Sequence, residues 1–456
     1  MQPSSARQPG GVNPWWFAST FVLLYLYYWV FAFLFSQSDD QLPVTPGSPS
    51  HVIGARLTNL VLIGLLGLVL GLRKAVASLS TSTLTLPLST SGGDMKVDLH
   101  RNATRPSPYP SPGVPGEGTR VAPVRLRRWA LAIALAIFFS FHLSWWYWHQ
   151  KQAWLFVHDL GTTTAAADRE LLQGHNPYTS HIDVEAEKSF PAANVGGYKY
   201  LPVTLAAYMP LTILCKDRAW GILLSNLIIS IGGFAALAAC VRKWISLDAA
   251  LLAGILFFMP TIITDQQLRH GCNDMLPMIF LMAALWQIER RGTCGLLVGL
   301  AISAKLLPGM LWLPICLTPK SRGRYFSGMA IGALTPVIPF LIWDAPAVVR
   351  NVILFQPMRG GDMSGLFYQL PQILPWMAAG LAGIVYLWMF RRAWTTDAPP
   401  IRRCWNATVL TMLFLLAATR DKPNYYIWWF VPFCVLVAAG LMNPRAYLWL
   451  EREKTA

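Results

Sequence analysis

The sequence predicts an all-α protein, a polytopic transmembrane helix bundle with about 11 to 13 membrane segments. Of its 456 residues 54% are hydrophobic and only 13% are charged, whereas soluble domains carry about 25% charged residues. The apolar residues are also gathered into runs of about 18 to 24 residues, and about 20 such residues are needed for one helical crossing of a bilayer. These two observations exclude a single soluble domain.

Eleven apolar runs form the predicted membrane segments. They lie near residues 15–36, 53–72, 128–148, 219–241, 248–264, 275–289, 294–318, 325–343, 372–390, 404–420 and 425–444. Lys305 and Pro308 interrupt the run 294–318, which predicts a broken, re-entrant pair of helices. Pro202 and Pro210 shorten the run 200–214, which is therefore predicted to form a helix on the outer surface.

Three regions follow from the spacing of these runs. Residues 1–72 are predicted to form an accessory transmembrane helix pair, and residues 128–456 form the main bundle. Residues 73–127 combine a Ser/Thr tract with many prolines and glycines, and they contain too few apolar residues to build a core. We therefore predict that they are a disordered cytoplasmic linker.

The net charge of +15 is explained by membrane topology. With the N-terminus inside, most of the 37 lysines and arginines fall in cytoplasmic segments, as expected for a multi-pass membrane protein. The large loop 149–218 then lies on the outer face of the membrane. Because the basic residues are scattered over the cytoplasmic loops, nucleic acid is not an expected partner.

The seven cysteines show no CxxC spacing, and most lie inside apolar runs. This pattern is typical of small buried apolar residues, and it favours neither a disulfide framework nor a zinc site.

Asp159 is the leading candidate for chemistry, because it follows the third apolar run at the point where the chain leaves the membrane. An ionisable residue at that depth is costly and indicates function, although a helix cap or an ion pair remains an alternative. If the segment is helical, Asp168 is nine residues further and about half a turn away, so the two carboxylates face opposite sides. One can then line a cavity while the other meets solvent or Arg169.

Four stretches, in this order, carry a resemblance to a known family. Asp159 is followed by Gly174-His-Asn-Pro177-Tyr178; Tyr198-Lys199-Tyr200-Leu-Pro202 opens a short helix; Gly271-Cys-Asn273 leads into a helix; and Gly295 to Pro308 contains Gly299 and Lys305. Over residues 128–440 the chain resembles the C-type (GT-C) membrane glycosyltransferases, and in particular glycosyltransferase family 87, which includes polyprenyl-phosphate-mannose-dependent mannosyltransferases.

This resemblance implies an inverting transfer at the outer, periplasmic face of the plasma (bacterial inner) membrane. The implied donor is a sugar on a polyprenyl phosphate, a mannose-like hexose or a pentose, and the acceptor is a hydroxyl of a lipid or a glycan. Asp159 stands at the position of the general base, which accepts the acceptor proton. No cofactor is expected, and membrane lipids are the surrounding partners.

Fixed cations and hydrogen-bond donors near the leaving phosphate would stabilise its charge. The candidate substrate-binding residues are His158, Asp168, Tyr178, Lys199, Tyr200, Arg269, His270, Asn273, Lys305, Arg359, Arg420 and Lys422.

Lys305 lies inside an apolar run, where a buried ammonium is costly unless a phosphate or carbonyl groups meet it. Contact with phosphate and the capping of a short helix both remain open for this residue. Asp265 and Asp274 could hold a divalent metal, but too few oxygen ligands are evident and no metal site is predicted. Loop 344–371 could form either a lid or a surface helix.

A lipid or solute transporter without catalytic activity is the alternative function. Transporters commonly show two matching halves, whereas this chain has one long loop near the start of its main bundle and no detectable repeat.

Overall fold

The computed structural model describes residues 121–150, 157, 159–183, 196–215, 218–258, 264–355, 373–417 and 423–442. Within these ranges the chain forms helices and their connections and no strand, which confirms the predicted all-α class. The helices are α1 (Val121–Gln150), α2 (Asp159–Leu172), α3 (Pro202–Leu214), α4 (Arg218–Trp244), α5 (Leu247–Phe258), α6 (Met275–Trp286), α7 (Arg291–Ala304), α8 (Leu306–Cys316), α9 (Arg322–Leu334), α10 (Ile338–Val348), α11 (Ile373–Thr395), α12 (Pro400–Ala417) and α13 (Ile427–Met442). Two π-helical segments, Thr264–Arg269 and Val349–Leu354, and one 3₁₀ turn, Pro423–Tyr426, complete the described elements.

Of the described residues, those from Leu131 onward belong to one compact unit and residues 121–130 to another. The predicted accessory pair 1–72 and the linker up to residue 120 lie outside the described residues. The end of the predicted linker is wrong, because α1 begins at Val121 and residues 121–127 are helical. Pro123 is compatible with this start, since a residue in the first helical turn has no intrahelical N–H bond to lose.

Two described helical stretches, Leu126–Ser144 and Arg218–Trp244, are long and apolar enough to cross a membrane. The stretches Arg322–Leu334 and Ile338–Leu354 meet the same criterion together, with a bend of 69° between them. Among the described residues, six further apolar helices of 10–17 residues, which include α3 and α8, are shorter than one full crossing.

The run 294–318 is broken where the sequence predicts it. Lys305 separates α7 from α8 in an extended conformation, with φ −150° and ψ 115°. The Sγ atom of Cys294 lies 3.9 Å from the carbonyl oxygen of Cys316, so the start of α7 is next to the end of α8. The two helices therefore fold back on each other, with Lys305 at the turn.

Helices α7 and α9 pack through glycines at very short range. A Cβ atom on Gly295 or Gly299 of α7 would collide with a backbone carbonyl of α9, and one on Gly328 or Gly332 of α9 would collide with a carbonyl of α7. Both helices thus carry a glycine pair spaced by four residues, the pattern that allows membrane helices to approach closely. The Gly295 to Gly299 stretch noted in the sequence has this packing role.

The segment that precedes α3 is fixed by an aromatic core between α2, α3 and the end of α10. Tyr178, Tyr198 and Leu205 are almost fully buried there, together with Ala167 of α2 and Val348 of α10. The predicted short helix 200–214 is present as α3, with Pro202 at its first position. This core sets the direction in which Lys199 and Tyr200 leave the loop.

We expect Gly295→Ala and Gly328→Ala each to destabilise the protein by about 1 to 3 kcal/mol, because the added methyl group must push α7 and α9 apart. The control is Gly380→Ala in α11, where no atom lies within 4 Å of the added Cβ. Thermal unfolding in detergent measures the effect. Equal melting temperatures for Gly295→Ala and Gly380→Ala would contradict the close helix contact.

Candidate active site

The N-terminus of α2, which begins at Asp159, lies against the loop that precedes α6. Gly161 and Gly271 make this contact through their backbones: a Cβ atom on Gly161 would lie 3.3 Å from the carbonyl oxygen of Gly271. Gly271 has φ +72°, a conformation that glycine adopts without steric cost. The predicted general base therefore belongs to a helix end that is held beside residues 270–274.

Lys305 reaches the same loop. Its Nζ atom donates a hydrogen bond to Oδ1 of Asp274 at 2.6 Å and to Oδ1 of Asn273 at 3.1 Å. The Asp274 side chain is fully buried and that of Lys305 is 13% exposed, so this is a largely desolvated ion pair. The backbone of Lys305 also caps a helix, because its N–H donates to the carbonyl oxygen of Ala301 at the end of α7, while its side chain makes no cap hydrogen bond and reaches Asp274 at the start of α6.

Aromatic rings surround the Lys305 ammonium. Its Nζ atom lies 5.7 Å from the ring centre of Tyr200, 5.4 Å from that of Tyr425 and 5.6 Å from that of Trp428. Tyr425 and Trp428 stack on each other at 4.7 Å. Rings at this distance attract a cation, and they hold the ammonium in an environment with little water. Lys305, Asn273, Asp274 and these three rings are called the Lys305 site.

Two buried donors at the Lys305 site have no acceptor among the described residues. They are Nδ2 of Asn273 and Nε1 of Trp428. Buried N–H groups are normally hydrogen-bonded, so each exception calls for an explanation.

Arg269 and His270 belong to the segment that leads into the Lys305 site. Arg269 ends the π-helical segment Thr264–Arg269, and His270 is buried directly beside Gly271. Asn273 and Lys305 thus meet through a hydrogen bond, and Arg269 and His270 precede Asn273 in the same segment. Of the candidate residues, His158, Arg359, Arg420 and Lys422 lie outside the described residues, as does the side chain of Asp159.

The polar groups of the candidates Lys199 and Tyr178 form hydrogen bonds with other residues of the protein. Nζ of Lys199 donates to Oδ1 of Asn351 at 2.9 Å, and Nδ2 of Asn351 donates to the carbonyl oxygen of Tyr178 at 2.9 Å. The Tyr178 hydroxyl donates to the carbonyl oxygen of Tyr200 at 2.8 Å. The prediction that Lys199 and Tyr178 contact substrate is therefore not supported, because these bonds join the loop before α3 to the segment after α10.

Burial raises the pKa of both Tyr178 and Tyr198 above the ordinary range, so their hydroxyls stay neutral. Thr164 of α2 lies within hydrogen-bond distance of the Tyr198 hydroxyl, at 3.3 Å. These neutral tyrosines pack between α2 and the loop before α3, and their hydrogen bonds fix their positions.

Asp168 also differs from its prediction. It is 2% exposed, and its Oδ2 accepts a hydrogen bond of 2.7 Å from the Thr212 hydroxyl of α3. It meets neither solvent nor Arg169, because it lies on the face of α2 that packs against α3. Burial raises the pKa of Asp168 to about 7, although the Thr212 hydrogen bond and the charge of Arg218 act in the opposite direction. Asp168 thus joins α2 to α3 through Oδ2, while its Oδ1 is buried without a hydrogen-bond partner among the described residues.

No group of three His, Cys, Asp or Glu side chains converges within the part of the chain that the structure describes. Asp274, which the sequence offered as a possible metal ligand, instead accepts a hydrogen bond from the Lys305 ammonium. All seven cysteines are free thiols, and six of them are buried, as predicted.

Sequence reasoning missed Tyr425, Trp428 and Asn351. Tyr425 and Trp428 stand in the run Asn424-Tyr-Tyr-Ile-Trp-Trp429, and this concentration of aromatic residues beside Lys422 was the available signal. Asn351 has no such signal, because its role depends on contacts with residues more than 150 positions away.

We expect the stability of the protein to fall as the pH rises from about 4 to about 7 because of Asp168. The unfolded carboxyl group ionises near pH 4, whereas the folded one keeps its proton up to about pH 7. Asp168→Asn should remove this dependence and give an equal or higher melting temperature at pH 8. Melting temperatures of both proteins at pH 5 and pH 8 test it; an identical difference at the two pH values would contradict the raised pKa.

Comparison with known proteins extends these observations. The model of glycosyltransferase family 87 matches residues 198–419, a range that includes the loop 270–274 and Lys305. No curated protein matches the chain. Among solved structures, ArnT from Cupriavidus metallidurans, crystallised with undecaprenyl phosphate, is similar with a TM-score of 0.47 and 15% identity, covering 68% of this chain and 61% of the ArnT chain. Over residues 198–419 the chain is thus similar to the glycosyltransferases of family 87, as its motifs indicated.

Proposed function

We propose that this protein is an inverting GT-C glycosyltransferase of the membrane, which transfers a sugar from a polyprenyl phosphate to an acceptor hydroxyl. One observation carries the proposal. The helix end that begins with Asp159 packs backbone to backbone against the loop that holds the Lys305 ammonium. A carboxylate and a fixed cation on adjacent segments are the two groups that such a transfer requires. The family 87 match over the same loop supports it.

In the proposed reaction, the acceptor oxygen attacks the anomeric carbon of the donor sugar. The Asp159 carboxylate accepts the proton of the acceptor hydroxyl as the new C–O bond forms. The bond between the anomeric carbon and the phosphate oxygen breaks, and the polyprenyl phosphate leaves with the electron pair. Attack opposite the leaving group inverts the anomeric configuration.

The Lys305 site suits the leaving phosphate. Lys305 supplies a positive charge in a poorly hydrated setting, where its interaction with an anion is stronger than in water. Asp274 fixes the direction of the ammonium, and Asn273 and Trp428 add two N–H groups that have no acceptor among the described residues. Donors already in place need no reorganisation when charge develops on the leaving group.

The finer features of the proposal come from the resemblance and the predicted topology. They are a mannose-like hexose or pentose as the sugar, a lipid or glycan as the acceptor, and a site on the periplasmic side of the plasma membrane. No resident cofactor takes part in the proposed step.

Asp159→Asn tests the general base. The amide keeps the size of the side chain but cannot accept a proton, so we expect turnover to fall by roughly 10² to 10⁴-fold. Asp168→Asn is the matched control on the same helix, and its effect on turnover should be much smaller because Asp168 faces α3. Transfer from a polyprenyl-phosphate sugar is measured in liposomes, with donor binding in parallel. Near-normal turnover of Asp159→Asn would refute the assignment.

Lys305→Met tests the phosphate site. We expect the dissociation constant for polyprenyl phosphate to rise by about tenfold or more, because a hydrogen-bonded charge contact is lost. Lys243→Met, which removes an exposed lysine paired with Glu289, should bind normally.

A structural effect of Lys305→Met must be separated from a ligand effect, since the change leaves Asp274 buried without its partner. The double variant Lys305→Met/Asp274→Asn removes that buried charge. It should recover most of the melting temperature but not the affinity for polyprenyl phosphate. Recovery of both would show that Lys305 has only a structural role.

A further inference from the structure

A polar cleft lies at the other end of α2 from Asp159. Its volume is about 580 Å³, and it lies between the C-terminal turn of α2, the following loop and Trp343 of α10. The lining residues used below are Glu170, His175, Asn176, Ser180 and Trp343. We call it the α2 cleft. None of these residues takes part in the reaction proposed above.

The polar groups of the α2 cleft are held in fixed positions. Oε2 of Glu170 accepts a hydrogen bond of 3.0 Å from the Ser180 hydroxyl and lies 3.1 Å from Nδ1 of His175. Asn176 is only 5% exposed, and its Oδ1 accepts from the backbone N–H of Tyr178 at 3.0 Å. This bond fixes the amide, and its Nδ2 has no acceptor within the described residues. A buried donor on a cleft wall indicates a missing acceptor.

Trp343 forms the aromatic wall of the cleft. It is 48% exposed, and its ring stacks on Phe340 with centres 6.5 Å apart and planes 22° apart. Phe340 in turn packs edge-on against Tyr178 at 5.4 Å. Helix α10 is kinked directly after Trp343, at Asp344, whose Oδ1 accepts from the N–H of Ala347 at 3.0 Å. An exposed ring with rigid support on one face leaves its other surface for a ligand.

These groups match the chemistry of a sugar ring better than that of an acyl chain. A pyranose presents an apolar C–H face, which an aromatic ring can cover, and hydroxyls that donate to a carboxylate and accept from an amide. An acyl chain in this cleft would desolvate Glu170 and Asn176 without replacing their hydrogen bonds, at a cost of about 1 to 3 kcal/mol for each group. The ligand class is therefore a neutral saccharide.

Glu170 of the α2 cleft and Asp159 occupy nearly the same angular position in the register of α2. Glu170 is eleven residues after Asp159, which is about three turns, within about 20°, and about 16 Å along the axis. Between them the same face carries the small residues Thr163 and Ala166, both half-buried, while Ala167 on the packed face is buried. A glycan of several sugars is long enough to span the distance of about 16 Å between these two positions.

We propose that the α2 cleft binds a sugar residue of an extended glycan acceptor, several units away from the hydroxyl that Asp159 deprotonates. This inference rests on the proposed function for the role of the sugar as an acceptor. It selects a glycan rather than a simple lipid as the acceptor class, and Glu170 and Trp343 are its principal contacts.

Binding of a soluble trisaccharide tests the cleft directly. The probe is mannotriose, measured by saturation-transfer NMR with the full-length protein in nanodiscs. Glu170→Gln and Trp343→Ala should each raise its dissociation constant by about tenfold or more, because a charge-assisted hydrogen bond or the aromatic contact is lost. The matched controls are Glu289→Gln, an exposed glutamate, and Trp388→Ala, a tryptophan with 51% exposure, and both should bind like the wild type.

A second arm compares acceptors. With a long glycan acceptor, Glu170→Gln should raise KM and leave kcat unchanged; with a single-sugar acceptor, which cannot reach the cleft, neither constant should change. Equal KM values for wild type and variant with the long acceptor, or mannotriose binding that both cleft variants retain, would overturn the proposal.

Binding of polyprenyl phosphate separates the two proposals. Glu170→Gln should bind it normally, whereas Lys305→Met should not. Loss of all transfer and of polyprenyl-phosphate binding in the wild type would refute the proposed function, while mannotriose binding would still decide the saccharide site.

Discussion

The buried ion pair between Lys305 and Asp274 is the interaction on which the arrangement of the site depends. Lys305 lies at the turn between α7 and α8, and Asp274 lies in the loop before α6. A buried charge without its partner would destabilise the fold by several kcal/mol, so the two segments must meet at this point. Rings from the loop before α3 and from the start of α13 then enclose the ammonium.

The loop that contains Asp274 also fixes the helix that begins with Asp159, the predicted general base, through a backbone contact. The loop with Asp274 also contains Gly271, which packs on Gly161 near the start of α2. Helix α2 therefore has one end fixed to the Lys305 site, and one long face fixed to α3 through Thr212 and Asp168. Glu170, which lines the α2 cleft, is two residues after Asp168 and thus lies on a different side of α2 from the contact with α3.

A second polar network joins Lys199, Asn351 and Tyr178. Asn351 accepts a hydrogen bond from the Lys199 ammonium and donates one to the Tyr178 carbonyl oxygen. These bonds connect the segment after α10 to the loop before α3 and to the loop after α2. Lys199 and Tyr178, which the sequence offered as substrate contacts, belong to this network, and Asp168 bonds to Thr212 of α3 instead. Buried polar residues in a membrane protein thus serve structure as well as chemistry, and residue type alone does not separate the two.

Composition and local patterns were sufficient for the class of protein and for several of its elements. Hydropathy predicted an all-α bundle, prolines predicted the short helix α3, and Lys305 with Pro308 predicted the break between α7 and α8, because each of these depends on residues that are close in the chain.

The partners of the buried charges were decided only by tertiary structure. Lys305 could have met a phosphate, a helix end or a carboxylate, and its choice of Asp274 arises from packing between segments about 30 residues apart. The cage of Tyr425 and Trp428, the Asn351 network and the α2 cleft likewise combine side chains from distant parts of the chain. Such contacts are set by how helices pack in three dimensions, whereas hydropathy and spacing report only on neighbours in sequence.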